Sequence, residues 1–301
     1  MHADIDVIWQ NETSVWFQQL LRGAEGTYLL RREYATDPRD GSGAPVGVPE
    51  LHVGGAALLP AVREPEWPTV DVFALSGDGQ LSARLLGETE FDPGTAELFR
   101  RTGALIADLH RTDGDVPSRG YHLGRLAEAI DGSSGPSPTA DLGVRLSAAS
   151  LERVRRWLAE PATRERRVSS HGNLTMNSVF VDRDAGVEIP YGPEAGMADR
   201  EFDVGWLLGE LTELEYAFTH RGLPGGHIPA YAQAFVDAYE GASGAALEVP
   251  RLARVVAMRV LLHYLDFAET MPELPIGTED VVFLEWLIER AGDLEDRDVP
   301  A

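Results

Sequence analysis

The polar chemistry of the chain is concentrated in His171-Gly172-Asn173-Leu174-Thr175-Met176-Asn177. A His-Gly turn is followed at once by one amide and, four positions later, by a second. An amide can orient a hydroxyl through its donor and acceptor. It carries no charge and no basic lone pair at neutral pH, so it cannot take the proton of a nucleophile. Downstream, Ile189-Pro190-Tyr191 runs among the acids Glu188, Glu194, Asp199 and Asp203. Other chemistries are absent from the sequence. It has no Gly-x-Ser-x-Gly, and none of its eight histidines are paired at helical i, i+4 spacing as a zinc site would want. Cysteine is missing, which excludes disulfides, thiol nucleophiles and zinc-thiolate sites.

Composition narrows the classes further. With 301 residues, 44% of them hydrophobic, the chain suits one large domain or two coupled lobes around a real core. The net charge of −23 argues against nucleic-acid backbones and anionic membranes, both of which want a basic face. It permits cationic partners (a small amine, a basic peptide or a basic protein), or it serves solubility alone. All 26 basic residues are arginine, which removes Schiff-base chemistry and the usual lysine anchor for phosphates. No basic-then-apolar leader and no apolar run of ~20 residues is evident, so the expected location is cytoplasmic.

These groups must be positioned by the elements around them. Val15–Leu21 and Thr27–Glu33 flank a glycine-bearing loop and predict a β-hairpin. Pro49–Val62 reads as a short helix weakened by two glycines. Val70–Leu75 and Gln80–Leu86, separated by Ser76-Gly77-Asp78-Gly79, predict a second hairpin. From Asp92 the period becomes helical, with Leu98, Leu105, Ile106 and Leu109 on one face. Asp131–Asp141 is a Gly/Ser/Pro-rich surface loop and Ser147–Leu158 a helix. Ser178–Asp182 and Gly186–Ile189 form a strand pair. Helices follow near Phe202–Phe218, Pro229–Tyr239, Pro250–Glu269 and Glu279–Ala291, with Gly222–His227 as a connecting loop and Asp293–Asp298 as a disordered acidic tail. The expected fold is α+β and bilobal: a small β-rich lobe over 1–87, then a larger, mainly helical lobe over 88–301 that contains the loop and its hairpin.

This order resembles the aminoglycoside phosphotransferase and choline-kinase family, the small-molecule branch of the kinase-like fold. Thr27–Glu33 resembles the strand that carries the phosphate-pairing base. Leu81–Phe91 resembles the strand and hinge that hold the adenine, and Gly103–Arg111 the helix ending in Leu-His. His171–Asp182 resembles the catalytic loop, and Ala198–Leu211 the segment that closes the site. The likeness runs over most of the chain.

The resemblance implies roles. Asn173 stands where the family has its catalytic aspartate, and losing a positioned base costs ~10²–10⁴-fold. Asn177 matches the magnesium asparagine, or is a loop-capping amide. His171 and Asp203 match the residues that support the loop. The metal-binding aspartate falls on Tyr191, beside Pro190, and neither is a hard anionic ligand. Arg31 or Arg32 stands for the phosphate-pairing base, with Glu50 as its acidic partner, and Leu86 lies in the adenine hinge. The covering loop falls on Ile8–Thr13, without a glycine and with Glu12 among its residues. Trp9 and Trp16 are expected to pack within the small lobe, and Phe202, Val204 and Trp206–Leu208 to face the core. Tyr191, Glu194, Asp199 and Glu210 are the candidate substrate-side residues, Glu210 with Glu213 and Glu215 being alternatively a solvated face.

Two readings follow. One is a pseudokinase that binds a cationic small molecule, basic peptide or partner protein, in a setting such as a bacterial pathway that dehydrates Ser or Thr in a precursor peptide. The other is a working ATP- or GTP-dependent phosphotransferase acting on a hydroxyl of a cationic metabolite or peptide. It would draw its magnesium ligand from Glu188, Glu194 or Asp199.

Overall fold

The computed structural model describes residues 6–12, 16–23, 27–34, 51–62, 69–113, 121–131, 145–160, 163–271, 273 and 276–298. Four antiparallel strands open the chain: β1 (Asp6–Glu12), β2 (Trp16–Arg22), β3 (Tyr28–Tyr34) and β6 (Val70–Leu75), in the order β1-β2-β3-β6. Their period-2 alternation points Leu20, Leu30, Phe73 and Leu75 inward, where Phe180 joins them and Trp9 packs alongside. The same alternation separates the two neighbouring arginines. Arg32 falls in line with Leu30 and Tyr34 on the buried face of β3, and Arg31 on the other face, paired with Glu33 at 2.6 Å.

Pro49–Val62 is not a helix over its described part. Leu51–Val53 (β4) and Ala56–Pro60 (β5) form a hairpin around Gly54 and Gly55, both at positive φ. Two consecutive residues in that region turn a chain back on itself and cannot continue a right-handed helix. β5 then runs parallel to β10 (Val187–Tyr191), in a five-stranded sheet ordered β4-β5-β10-β9-β7, with β7 at Gly79–Gln80 and β9 at Phe180–Val181. Strands far apart in the chain therefore share one sheet, which fixes the expected hairpin of 180–189 against residues 51–60.

The segment read as a second strand after Ser76–Gly79 is a helix, α1 (Leu81–Leu86). Leu81 and Leu85, four apart, are both fully buried, so its apolar period is helical. Leu86, the expected hinge residue, ends this helix with its side chain 58% exposed. The covering-loop segment Ile8–Glu12 belongs to strand β1, while Thr13 and Glu50 lie outside the described residues.

The helical part begins with α2 (Pro93–Arg111), capped by Asp92, whose side chain accepts from the Thr95 N–H at 2.7 Å. Gly103 lets α2 approach α6 (Ile228–Ser243): a Cβ there would lie 2.4 Å from the Phe235 carbonyl oxygen. Leu98, Leu105, Ile106 and Leu109 are buried in this core, as their spacing predicts. A second core joins α3 (Tyr121–Asp131), α4 (Ala148–Ala159), α5 (Glu201–His220), α7 (Val249–Thr270) and α8 (Thr278–Asp298). α3 has no counterpart in the sequence reading. Residues 132–144, most of the expected surface loop, lie outside the described residues. The acidic end is not a disordered tail, because α8 continues to Asp298, with Glu295 held by Arg254 of α7.

Candidate active site

Strand β8 (Arg167–Ser170) pairs with β11 (Gly196–Asp199) and delivers His171-Gly172-Asn173 onto the first turn of α5. Asp203 sits in that turn, fully buried, where a helix N-terminus favours negative charge. One carboxylate oxygen accepts from the Ser170 hydroxyl (2.9 Å) and the Gly172 N–H (3.0 Å). The other accepts from the His171 N–H (2.8 Å) and meets His110 Nε2 at 3.0 Å. Burial works against its charge, but the His110 hydrogen bond and the other donors outweigh it and pull the carboxyl below the ordinary aspartate range. Gly172 has φ of 80°, and a Cβ there would lie 2.0 Å from the Glu194 carbonyl oxygen, so only glycine fits.

The His171 ring is a strut. Its Nδ1 accepts from the Asn173 N–H at 3.2 Å, which leaves Nε2 protonated to donate to the Pro190 carbonyl at 2.9 Å. Burial lowers its pKa and keeps it neutral. The support roles expected of His171 and Asp203 are what this geometry supplies.

Asn173 is 5% exposed, and its Oδ1 accepts from the Trp206 indole at 3.3 Å. Asn177 follows in a single 3-10 turn capped by Thr175, and its Oδ1 accepts from the Ser82 hydroxyl at 2.5 Å. Glu210 accepts from the Met176 N–H at 2.6 Å; burial raises its pKa, and nearby Arg259 partly opposes this.

The strand expected to present a metal ligand presents none. All five residues of β10 are buried. Tyr191 lies edge-on to His171, 5.9 Å between ring centroids, with its hydroxyl 3.4 Å from the Ser170 carbonyl. Glu188 is engaged by the Ser76 N–H (2.8 Å) and hydroxyl (2.6 Å). Glu194 is buried 3.8 Å from Arg32, and burial raises its pKa against the pull of that arginine. Asp199 faces Arg166 and Arg251 at 3.6 and 3.5 Å, in a separate cavity of about 200 Å³ beside Trp157 and Phe202. Among the described residues no group of three His, Asp or Glu side chains is placed to hold a metal ion.

A cavity of about 240 Å³ opens between β2 and β3 on one side and α5 and α7 on the other. Asn173, Asn177, Arg32 and Glu210 line it. Tyr191, Glu194, Asp199, Arg31 and Leu86 do not. Arg32 is held by Glu194, by a stack on Trp16 (5.0 Å) and by Gln18, whose amide oxygen, turned toward it, accepts from Nε at 2.7 Å. The cavity also takes in groups the sequence reading passed over: His122, Arg125, Arg259, His263 and Asp266, with Trp16 and Trp206 as aromatic walls. Arg259, His263 and Asp266 stand at i, i+4 and i+7 on one face of α7. This polar stripe was readable in the sequence as a face lining something other than core.

No protein-family model matches the chain, and no curated protein sequence matches it. Solved structures do. The aminoglycoside phosphotransferase APH(4)-Ia, as the apo form of a thermostable mutant, aligns with a TM-score of 0.54 at 11% identity, over 98% of this chain and 96% of that one. A choline/ethanolamine kinase family protein from Mesorhizobium loti aligns at 0.53 and 16%, over 98% and 89%. Choline kinase LicA from Streptococcus pneumoniae aligns at 0.53 and 9%, over 97% and 93%. At such identities the likeness is one of fold, and that fold is the bilobal kinase-like one.

Proposed function

We propose that this kinase-like fold serves as a pseudokinase, binding a ligand in the cleft between its lobes without transferring a phosphoryl group. One observation carries the reading. Among the described residues, the acids lining the cavity are Glu210 and Asp266, and both are engaged, Glu210 by the Met176 N–H and Asp266 by Arg125 at 2.5 Å. Phosphoryl transfer needs a carboxylate that holds the cation bridging the phosphates, and a second that orients the attacking hydroxyl. Here Tyr191 and Asn173 stand in their places, and Glu188, Glu194 and Asp199, the three acids able to replace them, are committed elsewhere. The braced loop around Asp203 supports the view that shape is retained for binding.

The net charge of −23 supports a basic peptide or basic partner protein on the outer face of the helical lobe. A bacterial pathway that dehydrates Ser or Thr in a precursor peptide, where a kinase-like subunit works beside a lyase, is the setting we assign to it. Hydrolysis and transfer assays with radiolabelled ATP and GTP, with magnesium and with manganese, test the central reading. The expected result is release no faster than from buffer. Magnesium-dependent turnover abolished by Asn177→Ala would overturn it.

A further inference from the structure

The cleft carries an arginine that no described residue meets with a hydrogen bond or a close ion pair. Arg259 lies on α7 with 8% of its surface exposed. Among the described residues it makes no hydrogen bond and no ion pair within 4.0 Å, and its Nε is buried without an acceptor. Its position is nonetheless built. The methylene stem rests on Gly209 of α5, where a Cβ would lie 2.8 Å from Arg259 Cγ, and the guanidinium sits 5.6 Å from the centre of the Trp206 ring. Gly205, one turn earlier, gives Val255 the same clearance. The two glycines draw α5 and α7 together and fix the arginine head over the indole.

A buried guanidinium that lacks a carboxylate keeps its desolvation cost without the Coulomb gain of a pair. The other arginines of the cavity are matched, Arg32 by Glu194 and Gln18, and Arg125 by Asp266 and Glu269, while the His263 ring meets Glu213. Glu210 is near enough to feel Arg259 but does not reach it within 4.0 Å, and one of its oxygens accepts from the Met176 N–H. Trp206 is buried beneath the guanidinium, its ring stacked on Phe202 at 4.8 Å between centroids, so the cleft presents the arginine head and not the indole face. A guanidinium fork matches a carboxylate bidentately.

We propose that the cleft binds a small carboxylate, its carboxyl paired with Arg259. This rests on the reading of the cleft as a binding site, and it assigns the cleft a ligand opposite in charge to the basic partner proposed for the outer surface. The volume of about 240 Å³ suits a molecule of amino-acid size.

Thermal unfolding with benzoate and with its neutral isostere benzamide, each at about 10 mM and matched ionic strength, tests it. Benzoate is expected to raise Tm by about 2 °C or more and benzamide not to. The benzoate shift should vanish in Arg259→Gln and persist in Arg31→Gln, which alters an arginine outside the cavity. Without ligand, Arg259→Gln should be at least as stable as the parent, because it removes an unpaired buried charge. Equal shifts with benzoate and benzamide, no shift with benzoate, a shift unchanged in Arg259→Gln, or marked loss of stability in that variant would each overturn the proposal. A parallel arm with ATP and magnesium reports on the pseudokinase reading alone, so the two can fail separately.

Discussion

The indole of Trp206 donates to the side-chain oxygen of Asn173 at 3.3 Å, so the amide standing where a kinase-like enzyme needs a base is held by its neighbour on α5. Asn173→Asp would place a carboxylate there, still able to accept from the indole. On the proposed reading we expect no phosphoryl transfer from this variant, because Tyr191 still offers a cation no carboxylate. Turnover of ATP by Asn173→Asp, measured against the parent, is the check.

Asp203 is the brace of the whole loop. Asp203→Ala leaves the Ser170 hydroxyl, the His171 N–H and His110 Nε2 without this acceptor in a buried site, and the Gly172 N–H with the Ser170 oxygen alone. The expected cost is about 3–5 kcal/mol, as for breaking a buried charged network. Denaturant unfolding measures it, and a loss below about 1 kcal/mol would show that the loop holds without the brace.

Gly172→Ala meets both a left-handed backbone and a carbonyl oxygen 2.0 Å from the new Cβ. The loop must move, and destabilisation by more than about 2 kcal/mol is expected. Gly124→Ala, where a Cβ meets nothing within 4 Å, is the matched control and should change little.

His122, buried beside Trp16 and Trp206, has its pKa pushed down to about 3, first by burial and then by the charges of Arg125 and Arg259. A base whose folded pKa lies below its unfolded value of 6.5 binds fewer protons folded than unfolded between the two. Stability is therefore lost as pH falls below about 6.5, at up to about 1.4 kcal/mol per pH unit from this one group. His171 is shifted the same way, while Glu194 and Glu210, raised by burial, act in the opposite sense in the acid range. His122→Gln should flatten the acid slope, and an imidazole NMR titration of the parent should show His122 neutral down to pH ~4.

Much of this was legible in the sequence, for physical reasons that differ by residue. The periodicities of α2, α5, α6, α7 and α8 followed from apolar faces that one helix buries against another. The pair His171 and Asp203 was picked out through the resemblance to the kinase-like family. The hairpin at Leu51–Pro60 was missed because its strand character comes from pairing with β10, more than a hundred residues away. The six-residue α1 was misread because an apolar pair at i, i+4 is easily taken for part of a strand. The two arginines of β3 were indistinguishable until alternation was anchored by Leu30 and Tyr34, and Arg259 was hidden by a role that depends on Gly209 of another helix.

The central claim is best tested by thermal unfolding of the parent protein with ATP or GTP, each with and without Mg²⁺. A nucleotide bound to the folded state at a hundredfold excess over its dissociation constant stabilises by ~2.7 kcal/mol. The account predicts no magnesium-dependent shift, since Tyr191, Glu188, Glu194 and Asp199 offer the cation no free carboxylate. A clear magnesium-dependent rise in Tm would contradict it and would place a metal ligand in the cleft that the present geometry does not supply.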